Sequence, residues 1–431
     1  MPDFSKYGIG NIFIYFYELL GWFLKSQLNL PAELAGVIQT LVAIVTLGTF
    51  ALLIPIFTIW LERKLAARFQ DRLGPNRAGP YGLLQSFADV IKLLGKEDIT
   101  PTGADKWVYN LAPLVGVVSV VTLWAVIPLA STMVGANINV GVLYVVGISG
   151  LGTIAIMMGG WSSNNKFALL GAFRTAAQLV AYEVPMIIAL MVPVLLAGSM
   201  GMQDIVNAQA NSTWYILMAP VAALLFFITS VAEIGRAPFD LLEAESEIVA
   251  GFHIEYTGMK FGMWMLSEFL HAFTIAALTA TLFLGGWHGP LSSEAPILGI
   301  VYFLVKTFLA YFVVVWSRST FPRIRVDHLL SLNWKFFTPL ALGALVVTAV
   351  AQKLVDTYLP GAGDAMRTVA LFSANVLLVW LVFELIRRSA RQARAGAEGG
   401  YEEQGEAHHE EAGHGGHETQ AEHSPAPASA H

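Results

Sequence analysis

The sequence predicts an all-α membrane protein, a bundle of about nine transmembrane helices with one amphipathic surface helix and one acidic loop. Of its 431 residues, 55% are hydrophobic and only 13% are charged, whereas about a quarter of the residues of a soluble chain are charged. Nine apolar runs are long enough to cross a hydrocarbon core of ~30 Å. They cover residues 36–60, 108–130, 141–161, 179–198, 213–232, 262–286, 297–316, 337–356 and 367–386.

The predicted spans lie in a central domain, residues 36–390, with an extension before it and a tail after it. Residues 1–35 form the N-terminal extension, in which residues 9–24 are apolar but few in number and interrupted by Glu18. We therefore predict an interfacial helix there, and not a tenth span. The sequence has no basic stretch before these residues and no small-residue cleavage site after them, so we expect the helix to be retained.

The tail, residues 391–431, is predicted to be disordered and cytoplasmic. From Ala397 onward it contains eight Glu and six His but no Lys or Arg, and it shows no apolar periodicity. Such a segment cannot bury enough apolar surface to offset the entropy of ordering. We interpret its histidines as solvated rather than metal-binding, because nothing fixes a ligand geometry. No metal site is predicted.

Basic residues are distributed unevenly among the connections between spans. Segments 62–106, 162–178, 233–261, 317–336 and 387–396 together contain twenty Lys and Arg, whereas the opposite side contains four. Cytoplasmic loops of membrane proteins are enriched in Lys and Arg. The pattern therefore places the acidic loop and the C-terminus in the cytoplasm and the N-terminus outside, as an odd number of spans requires.

The residue inventory argues against a redox centre on this chain. There is no cysteine, so no disulfide can form and no thiolate can hold an iron–sulfur cluster. His271 is the one histidine well inside a predicted span, and a bis-histidine haem would require more. We expect no cofactor on this chain alone and no nucleic-acid partner.

An amphipathic surface helix is predicted in the loop after the first span. Gly74, Pro75, Gly79 and Pro80 make a rigid turn, and apolar residues then recur at helical spacing between Tyr81 and Leu94. Such a helix lies along a membrane surface. It either anchors the chain or forms one wall of a slot for a lipid-soluble substrate, and spacing alone does not separate these functions.

The loop between the fifth and sixth spans is acidic. Between Ala237 and Met259 it contains five carboxylates and no Lys or Arg; these are Asp240, Glu243, Glu245, Glu247 and Glu255. We predict a helix of roughly twelve residues from Pro238 to Gly251, with Asp240, Glu243 and Glu247 on one face. Repulsion raises some of the pKa values in such a group, which can then hold and pass protons. The alternative is a solvated acidic face on a docking loop.

Three ionisable residues are predicted inside spans. Glu183 and Glu268 lie in the cytoplasmic halves of the fourth and sixth spans, and Lys306 lies near the midplane of the seventh. Together with Glu233 and the loop acids they could form a series of proton-exchanging groups, since intramembrane charges are usually functional. The alternative is that each makes a local interhelical hydrogen bond.

Five segments of the chain carry a resemblance to a known family. They are ERKLAARFQDRLGPNRAGPYGLLQSFADVIKLLGKED at 62–98, LLGAFRTAAQLVAYEV at 169–184, RAPFDLLEAESEIVAGFHIEYTGMKFGMWMLSEF at 236–269, TLFLGGW at 281–287 and LVKTFLAYFVVVWSRSTFPRIR at 304–325. These long motifs closely resemble the H-subunit family of bacterial NADH:quinone oxidoreductase, respiratory complex I. The family commonly has Arg-Tyr-Asp-Gln where this chain has Arg325, Val326, Asp327 and His328, so the resemblance is weaker there.

The resemblance implies a component of the membrane arm, in the bacterial inner membrane, which completes a quinone site with two peripheral-arm partners and also contacts neighbouring membrane-arm subunits. Quinone would be the substrate, and the first span, the surface helix and the sixth span would frame its access. The acids implied in proton coupling are Glu183, Glu233, Asp240, Glu243, Glu245, Glu247, Glu255 and Glu268, and we add Lys306 to this group because of its predicted position near the midplane. Those implied at the quinone cavity or its access are Arg63, Arg68, Arg72, Arg77, Phe87, Arg236 and Tyr256.

Two alternatives remain open at this point. A membrane subunit of an energy-converting hydrogenase, or of a related ferredoxin-linked complex, would share the same scaffold. A stand-alone proton-coupled transporter belongs to a different class and is disfavoured, because no matching short or Gly/Pro-broken spans occur in two halves of the sequence.

Overall fold

The computed structural model describes residues 12–210, 212–242, 245–292, 295–358, 361 and 363–414. Throughout these residues the regular elements are helices, apart from one isolated bridge between Ala130 and Met133. The chain divides into two compact units, residues 1–375 and 376–431. As far as the second unit is described, it is the continuation of the last helix, in which Glu384 pairs with Arg387 and Arg388.

Fifteen α-helices are described. They are α1 Ile12–Trp22, α2 Ala32–Phe69, α3 Gln85–Gly95, α4 Lys106–Leu123, α5 Gly141–Ser162, α6 Lys166–Ala197, α7 Met202–Ala210, α8 Tyr215–Met218, α9 Pro220–Ile234, α10 Glu245–Ile248, α11 Gly258–Phe283, α12 Pro296–Thr320, α13 Val326–Leu332, α14 Thr338–Tyr358 and α15 Asp364–His414. Short π turns follow α1 and α13, and 3₁₀ turns precede α3 and follow α10.

The transmembrane bundle predicted from the sequence is confirmed. Eight described helical stretches are long and apolar enough to cross a membrane, and the fifteen-residue α9 is a shorter apolar helix. The predicted fifth span is broken at Ala219, where α8 ends and Pro220 begins α9. Proline lacks the amide hydrogen that would continue the helix, so this span is made of two pieces.

Helix α11 is the most enclosed of the candidate spans. In its most apolar window 78% of the residues are buried, compared with 56% for α6 and less for the others. It contacts α2, α4, α9 and α12. Trp124, which directly follows α4, donates a hydrogen bond from Nε1 to Thr274 Oγ1 of α11 over 2.9 Å. The acidic loop leads directly into this helix, so the loop is connected to the centre of the bundle.

The predicted twelve-residue helix in the acidic loop is wrong, because the described residues 238–242 are not helical and α10 covers only Glu245–Ile248. Phe239, Leu241 and Leu242 are buried, and their burial holds the segment in a non-helical path. Its backbone bonds to other elements: the amide of Gln178 on α6 donates to the Phe239 carbonyl, and the Pro238 carbonyl accepts from Ile324 N. Asp240 and Glu247 therefore do not share a helical face, and Glu243 lies outside the described residues.

The surface helix and the N-terminal helix both form. Helix α3 covers Gln85–Gly95 and leaves Phe87, Ile91 and Leu94 exposed, as expected of a helix on a membrane surface. Helix α1 begins at the first described residue, and a π turn continues it from Phe23 to Gln27. At the other end, α15 continues as helix to His414, where disorder was expected from residue 391. Alanine and glutamate favour helix in that stretch, and residues 415–431 are outside the described part.

Candidate functional site

A cavity of about 80 Å³ lies inside the bundle, large enough for a few water molecules. Serine, glycine and aliphatic residues of α4 and α5 line one side, and residues around the acidic loop, α11 and α12 line the other. Its titratable and charged lining residues are Glu233, Arg236, Asp240, His253, Glu268, His271 and Arg318. Three of the predicted proton-coupling carboxylates, Glu233, Asp240 and Glu268, therefore line the same small cavity.

Arg236 is the central cation of this site. Its guanidinium is 1% exposed, bonds to Glu62 through Nη1 and lies 3.2 Å from Glu268 Oε1 through Nη2. The Phe269 ring packs against it with 4.8 Å between the guanidinium carbon and the ring centroid. Burial alone would lower the pKa of Arg236, but the carboxylates of Glu62 and Glu268 outweigh burial and raise it. The guanidinium is therefore a permanent positive charge at the cavity wall.

Glu62 is a site residue that sequence reasoning missed. It lies near the end of α2 with its side chain buried, and its Oε1 accepts bonds from both Arg236 and Arg318. Its Oε2 accepts from the Tyr311 hydroxyl over 3.0 Å. The available signal was a single carboxylate directly after the apolar run of the first span and before a run of basic residues.

Glu183 lies on α6 and does not line this cavity, but its charge interacts with that of Glu233. The structure thus places Glu233, Asp240 and Glu268 around the cavity, with Glu183 in electrostatic range of Glu233. In such a group each carboxylate disfavours ionisation of its neighbours.

The predicted acids Glu247 and Glu255 lie elsewhere. Glu247 on α10 is exposed and forms ion pairs with Arg174 at 2.5 Å and Arg323 at 2.9 Å. The hydrogen bond from Arg174, followed by the charges of the nearby arginines, holds the pKa of Glu247 below its ordinary value. Glu255 accepts from Asn165 Nδ2 over 2.6 Å. Glu245 begins α10, and its side chain is outside the description.

Lys306, the eleventh of the 25 residues of α12, contacts the end of α11 that is distant from the acidic loop. Its ammonium donates to the Gly286 and His288 carbonyls over 3.0 and 2.8 Å, and it lies 4.7 Å from the centre of the Trp214 ring. Those carbonyls follow the end of α11, whereas the acidic loop precedes its beginning. A 26-residue helix is roughly 39 Å long, so Lys306 binds at the opposite end of the span from the loop acids.

Tyr256 belongs to an aromatic cluster at the start of α11. Its ring stacks on Tyr109 with 4.2 Å between centroids, and its hydroxyl donates to the Tyr109 carbonyl over 3.1 Å. In return the Tyr109 hydroxyl donates to the Glu255 carbonyl over 2.7 Å. Burial raises the pKa of Tyr256 to about 12. The phenol is therefore neutral at physiological pH, and its bonds join the acidic loop to α4.

An apolar groove of about 260 Å³ opens between α2 and the segment that leads into α3. Phe87 lines it with six other side chains, namely Leu53, Ile56, Phe57, Trp60, Leu83 and Leu84. An ion pair of 2.6 Å between Arg63 and Asp89 joins α2 to α3. This groove suits a hydrocarbon chain, since nearly all of its lining is apolar.

The other predicted basic residues are on the surface. Arg68, Arg72 and Arg77 are exposed, and Arg72 donates from Nε to Gln70 Oε1 over 2.6 Å. Arg68 lies in the last turn of α2, and Arg72 and Arg77 lie between α2 and the turn before α3. None of the three lines the acid-lined cavity. Among the described residues, no three His, Asp or Glu side chains are arranged to hold a metal ion.

Comparison with known proteins gives one consistent result. The family model for NADH dehydrogenase matches residues 41–349. The H subunit of the NADH-quinone oxidoreductase of Dehalococcoides mccartyi is 44% identical over 351 residues, which are 81% of this chain and 95% of that protein. The H subunit of Geobacillus kaustophilus is 48% identical over 69% of this chain and 89% of its own length. An H subunit of Geobacter sulfurreducens is 46% identical over 68% and 90%.

Proposed function

The chain belongs to the H-subunit family of NADH-quinone oxidoreductases, and on that premise we propose that its acid-lined cavity exchanges protons while its apolar groove admits the quinone. It is a membrane subunit of this oxidoreductase complex. The relatives do not favour a hydrogenase component or a stand-alone transporter. Electrons reach the quinone from partner subunits, and this chain contributes the protein environment in which the reduced quinone gains protons.

One observation carries the proton-exchange proposal: two carboxylates bind a buried, permanently charged guanidinium, and two more line the same cavity. Glu62 and Glu268 both bind Arg236, and Glu268 shares the cavity with Glu233 and Asp240. Adding a proton to Glu268 weakens its attraction to Arg236 and reduces its repulsion of the other acids. Charge changes during quinone reduction can therefore be transmitted as changes in protonation along the cavity.

The groove supports the proposed route for the quinone. Its apolar lining fits an isoprenoid tail, and it lies at the junction of α2 and the surface helix where lipid would meet the protein. We place the acidic loop and the C-terminus in the cytoplasm of a bacterial cell and the N-terminus outside, following the distribution of Lys and Arg. Peripheral-arm subunits then cover the acidic-loop face and complete the quinone site.

The test of proton exchange uses Glu268→Gln and Glu233→Gln in the assembled complex. Each amide keeps the shape of the side chain but does not titrate. We expect quinone-linked turnover and proton pumping to fall together by about a hundredfold, the low end for a positioned acid–base group. NADH oxidation by a hydrophilic artificial acceptor should persist. Glu97→Gln, on an exposed loop, is the matched control. Normal pumping by either cavity variant in a complete complex would contradict the proposal.

The groove is tested separately with Phe87→Ala. Because the Phe87 ring is half-exposed, its contact with the tail contributes only a fraction of the free energy of burying a whole phenylalanine side chain. We therefore expect KM for a long-tailed quinone to rise about fivefold. A short-tailed quinone analogue should be affected less. Phe372→Ala, which removes an equally exposed ring on α15, is the control. An equal change for both quinones would show that the groove does not hold the tail.

A further inference from the structure

His271 occupies the middle of the most enclosed helix of the bundle. It is the fourteenth of the 26 residues of α11, roughly 20 Å from either end. Its side chain lines the acid-lined cavity and is three residues, less than one turn, beyond Glu268. Because the acidic loop precedes α11, His271 lies farther along the helix from that loop than Glu268 does.

The surroundings of His271 offer charge on one side and hydroxyl groups on the other. The charged or titratable lining residues are Glu233 of α9, Arg236, Asp240 and His253 of the loop, Glu268 of α11 and Arg318 of α12. From α4 and α5 come only uncharged polar groups, including Ser119 and Ser149. Both hydroxyls donate to carbonyls of their own helices, at 2.8 and 2.9 Å. Their lone pairs remain able to accept from water in the cavity.

Imidazole is suited to proton exchange at this depth. A neutral ring has one donor nitrogen and one acceptor nitrogen, so it can accept a proton on one side and release another on the other side. The ring is an imidazolium cation only while it holds both protons, and it is neutral before and after each transfer. The nearby carboxylates of the cavity favour that transient cation.

We propose that His271 is the innermost proton-exchange residue of the cavity, which it extends beyond Glu268 toward the middle of the membrane. The proposal rests on the proton-exchange function of the cavity. A proton from the Glu268 side, carried by cavity water, binds the acceptor nitrogen of the ring. The other nitrogen releases its proton to water near Ser119 and Ser149, and the ring then returns to its first tautomer. One proton enters, one leaves, and no electron is transferred.

The experiment compares His271→Ala and His271→Gln in the whole complex, reconstituted into vesicles with a pH-sensitive dye inside. Alanine leaves space for an added base, whereas glutamine fills the space and cannot titrate. We expect both variants to lower the initial pumping rate by about tenfold to a hundredfold. This loss is at or below the rate enhancement that a general acid–base group usually contributes, because cavity water can carry some protons past the ring. Imidazole should restore His271→Ala, and a series of methylimidazoles should do so in proportion to their basicity.

Two controls make the result decisive. Pyrrole has the same ring size without a basic nitrogen, so restoration of His271→Ala by pyrrole would show a packing role and overturn the proposal. His328→Ala removes an exposed histidine outside the cavity and should pump normally with or without imidazole. Normal pumping by His271→Gln would also overturn the proposal. If Glu268→Gln fails to pump while His271→Gln pumps normally, the cavity function stands and the role of His271 does not. If both pump normally, both proposals fail.

Discussion

Arg236 and Lys306 are two cations of the same bundle that are stabilised in different ways. Each packs against an aromatic ring, with 4.8 Å to Phe269 and 4.7 Å to Trp214. Arg236 is bound by the carboxylates of Glu62 and Glu268, whereas Lys306 is bound by two backbone carbonyls. The first cation is part of a charged network at the acidic-loop end of α11, and the second is held by dipoles at the other end.

On the proposed function, only Arg236 lies among the proton-exchange groups. An arginine stays charged in proteins, so protonation changes around Arg236 must occur on its acids. Glu62 and Glu268 together with Arg236 and Arg318 carry two negative and two positive charges, and neutralising one of them unbalances the rest. The two carbonyl acceptors of Lys306 do not titrate. The titratable group whose charge interacts with Lys306 is His288, which follows the end of α11 distant from the acidic loop and does not line the acid-lined cavity.

The largest expected effect is from breaking the buried pair with Arg236→Gln. This change leaves Glu62 in the interior without its main counter-charge, and removing one partner of a buried pair costs about 3–5 kcal/mol. We expect the amount of assembled complex in the membrane and its midpoint of thermal unfolding to fall sharply.

The double variant Glu62→Gln with Arg236→Gln should recover part of that stability, since neither side chain then leaves a buried charge without its partner. Arg236→Lys should also lose stability, because one ammonium cannot contact both Glu62 and Glu268 as the guanidinium does. A double variant that loses as much as the two single variants combined would mean that the pair is not coupled. Arg236 and Lys306 would then differ less than their contacts suggest.

The spans were predictable from the sequence because each depends on a continuous apolar run, a local property. The break at Pro220 and the extension of α2 through Glu62 to Phe69 were not predicted. Helices continue beyond the membrane when their polar ends find partners. The Glu62–Arg236 pair joins residues 174 positions apart, and no local spacing encodes such a pair.

The acidic loop shows why helical spacing failed there. Asp240, Glu243 and Glu247 were expected on one face, but the apolar side chains of Phe239, Leu241 and Leu242 are buried in a segment that is not helical. Their burial decides the path, and it directs Asp240 inward and leaves Glu247 exposed. The sequence therefore indicated which residue types form the site, while packing decided which of the carboxylates face the cavity.

A moderate effect is expected from Lys306→Met. The change removes two hydrogen bonds from the ammonium to the Gly286 and His288 carbonyls. It also removes the cost of keeping an ammonium partly out of water, and methionine still packs on Trp214, so the net loss of stability should be smaller than that of Arg236→Gln. We expect a lower thermal midpoint but normal quinone-linked turnover per assembled complex. Lys306→Arg should lose less stability, since it keeps the charge and the donors. A variant that assembles fully yet pumps poorly would place Lys306 among the proton-exchange groups after all.

The smallest effect is expected from Glu247→Gln, which tests whether an exposed ion pair behaves like the buried one. The carboxylate is 41% exposed, and although it contacts Arg174 and Arg323, exposed pairs are screened and contribute only about 0–1 kcal/mol. The pKa of Glu247 is lowered in the folded protein, chiefly by the hydrogen bond from Arg174. Its contribution is therefore present above the unfolded pKa of about 4.5 and is lost as pH falls through the lower folded value.

Glu247→Gln should consequently change the thermal midpoint slightly at pH 7, and not at all once the wild-type carboxylate is protonated in acid. Raising the salt concentration should shrink even the neutral-pH difference, because salt screens exposed charges. Quinone-linked turnover should stay within about twofold of wild type, since the carboxylate does not line the cavity. A loss of pumping as large as that of Glu268→Gln would show that the loop surface belongs to the proton path, and burial would no longer separate the functional carboxylates from the others.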